Sequence, residues 1–588
     1  MKKILAILVV ICGLSAAQSH AEDTDPAARV QTVEGTLLGM ADKHATYAWL
    51  GIPYAQPPVG ELRWRAPRPA PTWQGERAAT AFGSHCMQLA NGQTERMPWR
   101  WNKPTGSEDC LYLNIWAPRS ALTDQRPRPV MLWLHGGGNT IGHAGSYPAD
   151  TLAGTQDLVV VTINYRLGAF GWFSHPALRA DLDDDRWAVL DASGNYGTLD
   201  MVEALRWVKR NIAAFGGDPT RDTVIGESAG GRKVASLLVT RPAAGLFHGA
   251  IIQSGLTESV SRAEAEGVES DYPGNSASVV QALLASHAHN VSNTPEQLAN
   301  WLRSLPAGDI LKAYPGWTFG MYSLPQLIRD GVVFPEEDFI QVLRDPAGYN
   351  VVPVITGTNR DEMKTFLLGD ERLVQSRFWL FRSVKDPMRF ARESYYRSGK
   401  WTASAVTELA QTLSASQGDA VWAYRFDWDE GRKTMFADLS ELLGAAHGLD
   451  IPFVFGDFES SVIPGVFGDD NAEGTRWLSH RMMSYWAAFA RDGRPGQGLQ
   501  GDLPVWRPWN NPQDKPFIVF DTQADGGVRM SDDTVTIAGL KAQLKADPRY
   551  SSNAERCETY QAMFERTRYW RDQEFKAMGC SAKALADN

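Results

Sequence analysis

The stretch DTVIGESAGGRKVASLLV, residues 222–239, changes character within a few positions. Thr223, Val224 and Ile225 are β-branched and suit a strand. The apolar segment that begins at Ala229 reads as a helix. Between them, Gly226-Glu227-Ser228-Ala229-Gly230 sets a serine between two glycines. A chain that passes from strand to helix so quickly must reverse sharply, which forces the serine into a strained backbone conformation. Only residues without a Cβ fit at the flanking positions. The turn lifts the hydroxyl to the helix N-terminus, where free N–H groups and the helix dipole favour developing negative charge. A chain with 53 glycines matches Gly-x-Ser-x-Gly by chance, so the flanking strand and helix carry the signal.

Further apolar runs surround this motif. RPVMLWLHGGG (128–138), DLVVVTINY (157–165), VVPVITGTN (351–359), AVWAYRFDW (420–428) and PFIVF (516–520) read as buried strands. TLDMVEALRWVKRNIAAF (198–215) and GTRWLSHRMMSYWAAFARDG (474–493) have helical periodicity. Continuous apolar strands with helices between them describe an α/β protein with a mostly parallel twisted sheet covered on both faces. Residues 257–330 are less regular and suggest helical insertions, and residues 540–588 read as a helical C-terminal extension. Without repeats or a low-complexity linker, residues 22–588 are expected to form one domain.

A serine hydroxyl needs a base, and the base needs an orienting acid. In this architecture they follow in the order Ser, acid, His. Of 11 histidines, only His447 and His480 lie late in the chain. His480 falls within the periodic helix, where a packing role is expected. His447, in a glycine-flanked stretch beyond a strand, is therefore the expected base. The acid belongs in GTNRDEM, where Asp361 and Glu362 are equally placed. Gly136, Gly137 and Gly138 follow a strand directly, so their N–H groups, with that of Ala229, can face an oxyanion.

The remaining composition narrows the class. A net charge of −10 argues against a nucleic-acid partner. Lys2 and Lys3, an apolar run from Ile4 to Ala17 and small residues up to Ala21 form a bacterial-type signal peptide, residues 1–21. That run is too short to span a membrane, and Ile11 before Cys12 does not suit a lipid anchor, so a soluble secreted or periplasmic protein is expected. Cys86, Cys110, Cys557 and Cys580 then remain. An even number in an exported chain favours disulfides, and the local pairs 86–110 and 557–580 close the shortest loops. No His or Cys spacing suggests a metal. DLDDD (181–185) reads as a solvated loop, NVS (290–292) fits the glycan sequon, and most of the 21 tryptophans are expected in the core.

Long motifs from about Val33 to Trp509 resemble the type-B carboxylesterase/cholinesterase family of α/β-hydrolases: YAWLGIPYAQPPVGELRWRAP, SEDCLYLNIWAP, LWLHGGGN, GNYGTLDMVEALRWVKRNIAAFGGDP, GESAGG, IIQSG, GTNRDE, AHGLDIPFVFG and YWAAFARDGRP. The resemblance implies Ser228 as nucleophile, Glu362 rather than Asp361 as acid, His447 as base, and Gly137, Gly138 and Ala229 as oxyanion donors. It supports a Cys86–Cys110 bridge. It also implies hydrolysis of a small-molecule carboxylic ester through an acyl-enzyme, with no cofactor. Alternatives within the family are an esterase for bulky natural-product, toxin or xenobiotic esters, a lactonase or amidase, a choline esterase or, more remotely, a non-catalytic binding module. Oligomeric state has no signature in the chain.

Departures from the family pattern mark further residues. Asn139 stands where relatives carry an aromatic residue, which is expected to open the substrate pocket, and Glu227 precedes the nucleophile. Asp222 replaces a valine. Lys233 replaces a serine beneath the triad, where it either pairs with Glu227, Glu362 or Asp450 and lowers that group's pKa, or reaches solvent. Trp101-Asn102 in the first disulfide loop resembles the choline-binding element of cholinesterases, but Lys103 beside it would repel a cation.

Overall fold

The computed structural model describes residues 24–581 apart from 96, 181, 183–185, 270–271, 288–293, 315–319, 378–380, 435–436, 460–464 and 512–513. The signal peptide, the sequon and most of the acidic 181–185 stretch lie outside the described residues.

Eleven strands form the main sheet: β1 (Met40–Asp42), β2 (Thr46–Pro53), β3 (Tyr112–Pro118), β4 (Arg128–Leu134), β5 (Val159–Ile163), β6 (Gly217–Glu227), β7 (Gly249–Gln253), β8 (Val354–Asn359), β9 (Val421–Phe426), β10 (Phe517–Phe520) and β11 (Arg529–Ser531). Their spatial order is β11-β10-β9-β8-β7-β6-β4-β5-β3-β2-β1. The run from β5 to β10 is parallel, whereas β3, β2, β1 and β11 pair antiparallel at the edges. Every apolar run read as a strand is one.

Both faces of the parallel block are buried, which is why its strands are apolar throughout rather than alternating. Along β4, Val130, Leu132 and Leu134 enter one core, while Met131 and Trp133 enter the other. The first core holds α1 (Tyr196–Asn211) and α2 (Ala229–Val239). After α3 (Pro387–Thr402) comes α4 (Ala472–Asp492), which lies in the second core. Residues 212–215 tighten into a 3-10 turn that stops at Gly216, whose φ of 79° suits glycine. His480 lies on α4 but is exposed, so the expected packing role is wrong. Helical periodicity found the element, but this position falls on its solvent side. Nine tryptophans are essentially wholly buried.

Short helices at Arg262–Glu266, Ser276–Ser286, Pro295–Ser304 and Ala307–Lys312 fill the irregular insertion. The C-terminal helices Ile537–Ala546, Asn553–Phe564 and Asp572–Ala577 share a separate core with Tyr396 of α3. Disulfides join Cys86 to Cys110 and Cys557 to Cys580. No helix among the described residues is long and apolar enough to cross a membrane.

Candidate active site

The loops after β4, β6, β8 and β9 meet at the carboxyl ends of the parallel strands, where such sheets commonly bind ligands. Ser228 follows β6 and caps α2 with φ 59° and ψ −120°, a conformation costly for any residue with a Cβ. Its surroundings hold it there. Ser228 N–H donates to the Gln253 carbonyl at 2.9 Å, and its own carbonyl accepts from Arg232 N–H at 2.9 Å. A Cβ on Gly226 would meet the Gly230 backbone at 2.6 Å, and one on Gly230 would strike the Leu134 carbonyl. The crossing of β4 and α2 thus explains the two glycines.

Glu362 follows β8 and is fully buried. Its Oε1 accepts from Ser254 Oγ at 2.5 Å and from Asn359 N–H at 2.9 Å, while Oε2 lies 2.5 Å from His447 Nδ1. Asp361 turns away, to Arg360 at 2.9 Å and to the Ala445 N–H at 3.1 Å. Adjacent residues of one turn point in opposite directions, and only the glutamate meets the imidazole. Phe366 and Trp401 pack around His447 with tilted rings, their centroids 5.2 and 4.8 Å away.

The other edge of the imidazole faces Glu227, whose Oε1 is 3.3 Å from Nε2. Among the described residues, no hydrogen bond joins Nε2 to Ser228. Burial pulls the His447 pKa down, but Glu227 and Glu362 outweigh it and raise it. Burial raises that of Glu227, with Asp450 and Glu362 adding to it and His447 opposing it. Asp450 lies behind this group, accepting from Gln253 Nε2 at 2.6 Å and Tyr424 at 3.2 Å, and burial raises its pKa too.

Gly137 and Gly138 take φ of 97° and 62°, and their N–H groups bond to no other described residue. Ala229 opens α2, so its N–H has no partner within the helix. Gly138, Ser228 and Ala229 line one cavity of about 220 Å³, with Arg232, Ser254, Leu256, Met321, Gln326, Phe366 and Trp401.

Three expectations are corrected here. Asn139 does not line this cavity. It is buried with its side chain on Gln326, and Gln326 forms that wall. Trp101 is not among the residues that line this cavity either, and its indole donates to the Glu95 carbonyl at 2.8 Å. Lys233 neither pairs with a carboxylate nor reaches solvent. It is fully buried, its Nζ has no hydrogen-bond partner, and it lies 3.7 Å from the Trp172 ring centroid. The other departure, Asp222, is buried with both carboxylate oxygens unpartnered.

Sequence reasoning missed Ser254, Trp401, Arg232 and Gln326. A positive φ of 53° at Ser254 lies just beyond β7 in IIQSG, whose local pattern offered the one available hint. The others come from segments whose proximity only the fold creates.

Comparison with known proteins gives the family. The Carboxylesterase family model matches residues 26–377 and 395–536. A para-nitrobenzyl esterase of Bacillus subtilis is 33% identical over 79% of this chain and 90% of its own length. Human cocaine esterase is 31% identical over 84% of this chain and 89% of its own. The crystal structure of a Geobacillus stearothermophilus carboxylesterase superposes with a TM-score of 0.63 at 30% identity, covering 86% of this chain and 98% of that one. Like these relatives, the chain belongs to the carboxylesterase family, and it is a hydrolase that acts on ester bonds.

Proposed function

We propose that this hydrolase works through Ser228, His447 and Glu362. The observation that carries the reading is the 2.5 Å contact between His447 and Glu362 beside a serine held at φ 59°. Ser228 Oγ attacks the ester carbonyl while His447 Nε2 takes its proton. Glu362 accepts from Nδ1–H, which fixes the tautomer and stabilises the imidazolium. The N–H groups of Gly137, Gly138 and Ala229 receive the oxyanion, and losing one such donor costs about 3 kcal/mol of transition-state stabilisation. His447 then protonates the leaving alcohol, and water attacks the acyl-enzyme by the reverse of these transfers. Glu227 Oε1 stands 3.3 Å from Nε2, so that nitrogen turns toward Oγ as the proton is transferred.

The substrate is a carboxylic ester. A larger cavity of about 650 Å³ shares Arg232, Leu256 and Gln326 with the catalytic one, which favours a bulky ester. Residues 22–588 act as one domain, exported after loss of residues 1–21, and the two disulfides fit an oxidising compartment.

Stoichiometric titration with an organophosphate, followed by peptide mapping, tests the assignment. Label on Ser228 and loss of turnover in Ser228→Ala are expected. Absence of label would leave a binding module as the better reading of the site.

A further inference from the structure

The larger cavity carries a charge pattern that simple ester hydrolysis does not require. Four arginines line it: Arg232, Arg329, Arg566 and Arg568. Arg232 stands one turn beyond Ser228 on α2 and also borders the catalytic cavity, where its Nη1 donates to Gln326 Oε1 at 3.2 Å. Gln326 in turn donates to the Gly138 carbonyl at 3.2 Å. The guanidinium end of the large cavity is therefore continuous with the proposed oxyanion loop. Arg566 and Arg568 come from the C-terminal extension, within the loop closed by Cys557–Cys580.

Glu258, Glu264 and Asp338 share these walls, so the cavity is not simply basic. Two of the three acids are committed to backbone. Glu264 accepts from Ser261 N–H at 2.7 Å in a capping box, and Asp338 accepts from Ile340 N–H at 3.1 Å. Glu258 lies nearer Lys400, at 3.4 Å, than Arg232, at 3.9 Å. The contacts of Asp338 with Arg329 and Arg568 are each 3.8 Å, too long for a hydrogen bond. Arg568 reaches Glu408 at 2.5 Å through Nη2. Nε of both Arg329 and Arg568 is buried without a partner, although Arg329 Nη1 donates to Ser259 Oγ at 3.2 Å, and Arg566 is exposed with no hydrogen bond or ion pair among the described residues. Guanidinium groups with unused donors on a cavity wall suit an anionic ligand.

We infer that the large cavity binds a carboxylate carried by the substrate, so that the enzyme's preferred substrates are anionic esters such as hemiesters of dicarboxylic acids. This rests on ester hydrolysis at Ser228. A planar carboxylate suits the guanidinium fork, and in an otherwise acidic chain this cluster of arginines is a local feature rather than a general one.

The test compares p-nitrophenyl hemiesters of succinate and glutarate with their methyl-capped neutral diesters. Wild-type enzyme is expected to prefer the hemiester in kcat/KM by about tenfold to a hundredfold, less at high salt. The preference should fall toward unity in Arg329→Gln and in Arg566→Gln. Because the readout is a ratio, partial misfolding of a variant cancels. Equal rates for the two ester classes, or a preference retained in both variants, overturns the inference while leaving the hydrolase reading intact. Turnover of neither class counts against Ser228 chemistry instead. Calorimetric binding of glutarate to the Ser228→Ala protein then decides the inference: saturable binding weakened by Arg329→Gln sustains it, and no binding overturns it.

Discussion

His447 lies between two buried carboxylates, with Nδ1 2.5 Å from Glu362 and Nε2 3.3 Å from Glu227. Glu362 sits where an orienting acid should. Glu227 sits where the nucleophile's proton must arrive, and it favours the imidazolium over the neutral ring. Since a general base acts as the neutral ring, Glu227 places the acid limb of the kcat/KM profile above the ordinary histidine range. Glu227→Gln removes that charge and should move the limb to lower pH by about one unit or more. A pH profile on a neutral ester measures it, and an unmoved limb would show that Glu227 does not govern the base.

Ser254 holds the other end of the proposed relay. Its hydroxyl and Asn359 N–H fill Glu362 Oε1, which leaves Oε2 for His447. Removing the hydroxyl in Ser254→Ala leaves a buried carboxylate short of one donor and free to rotate. A fall in kcat of about tenfold with little change in KM is expected, as for an interaction that matters most when the imidazolium forms. A raised KM at constant kcat would place Ser254 in substrate binding instead.

The parts of this fold legible in the sequence are those that local chemistry sets. Apolar runs declared the parallel strands because both sheet faces are buried, and the glycines at 226 and 230 declared the elbow because backbones cross there. Chain order picked His447, since the loop after β9 reaches the elbow. Elsewhere the answer was non-local. Asp361 and Glu362 differ only in which way the loop turns them. Lys233 meets Trp172, and Arg232 meets Gln326, through the packing of insertions that have no periodic signal.

Asp222 begins the apolar part of β6 with no partner for either oxygen, and burial pushes its pKa up to about 7. An acid with a raised folded-state pKa adds stability only while it is protonated. That stability is full below about pH 4 and lost as pH rises through 7. Above pH 7 the cost relative to a solvated carboxylate is about 4 kcal/mol. Asp222→Val should therefore raise Tm at pH 8, with the gain shrinking as pH falls toward 4. Melting curves across that range check it, and a pH-independent gain would assign the effect to packing alone.

Lys233 poses the opposite problem one turn below the nucleophile. The Trp172 face favours the ammonium by about 2 kcal/mol. Desolvating an unpaired charge costs several kcal/mol, and Arg232 adds repulsion, so the pKa falls well below the ordinary lysine range. Folding must then strip a proton from a side chain that the unfolded protein keeps charged up to about pH 10. Lys233→Met keeps the length and removes that cost, so Tm should rise at pH 7 and the gain should fade as pH approaches 10. Because Lys233 touches none of Glu227, Glu362 and Asp450, the same variant should leave the acid limb of the kcat/KM profile where it is. A shifted limb would restore Lys233 as a modulator of the triad, acting through a charge that its burial disfavours.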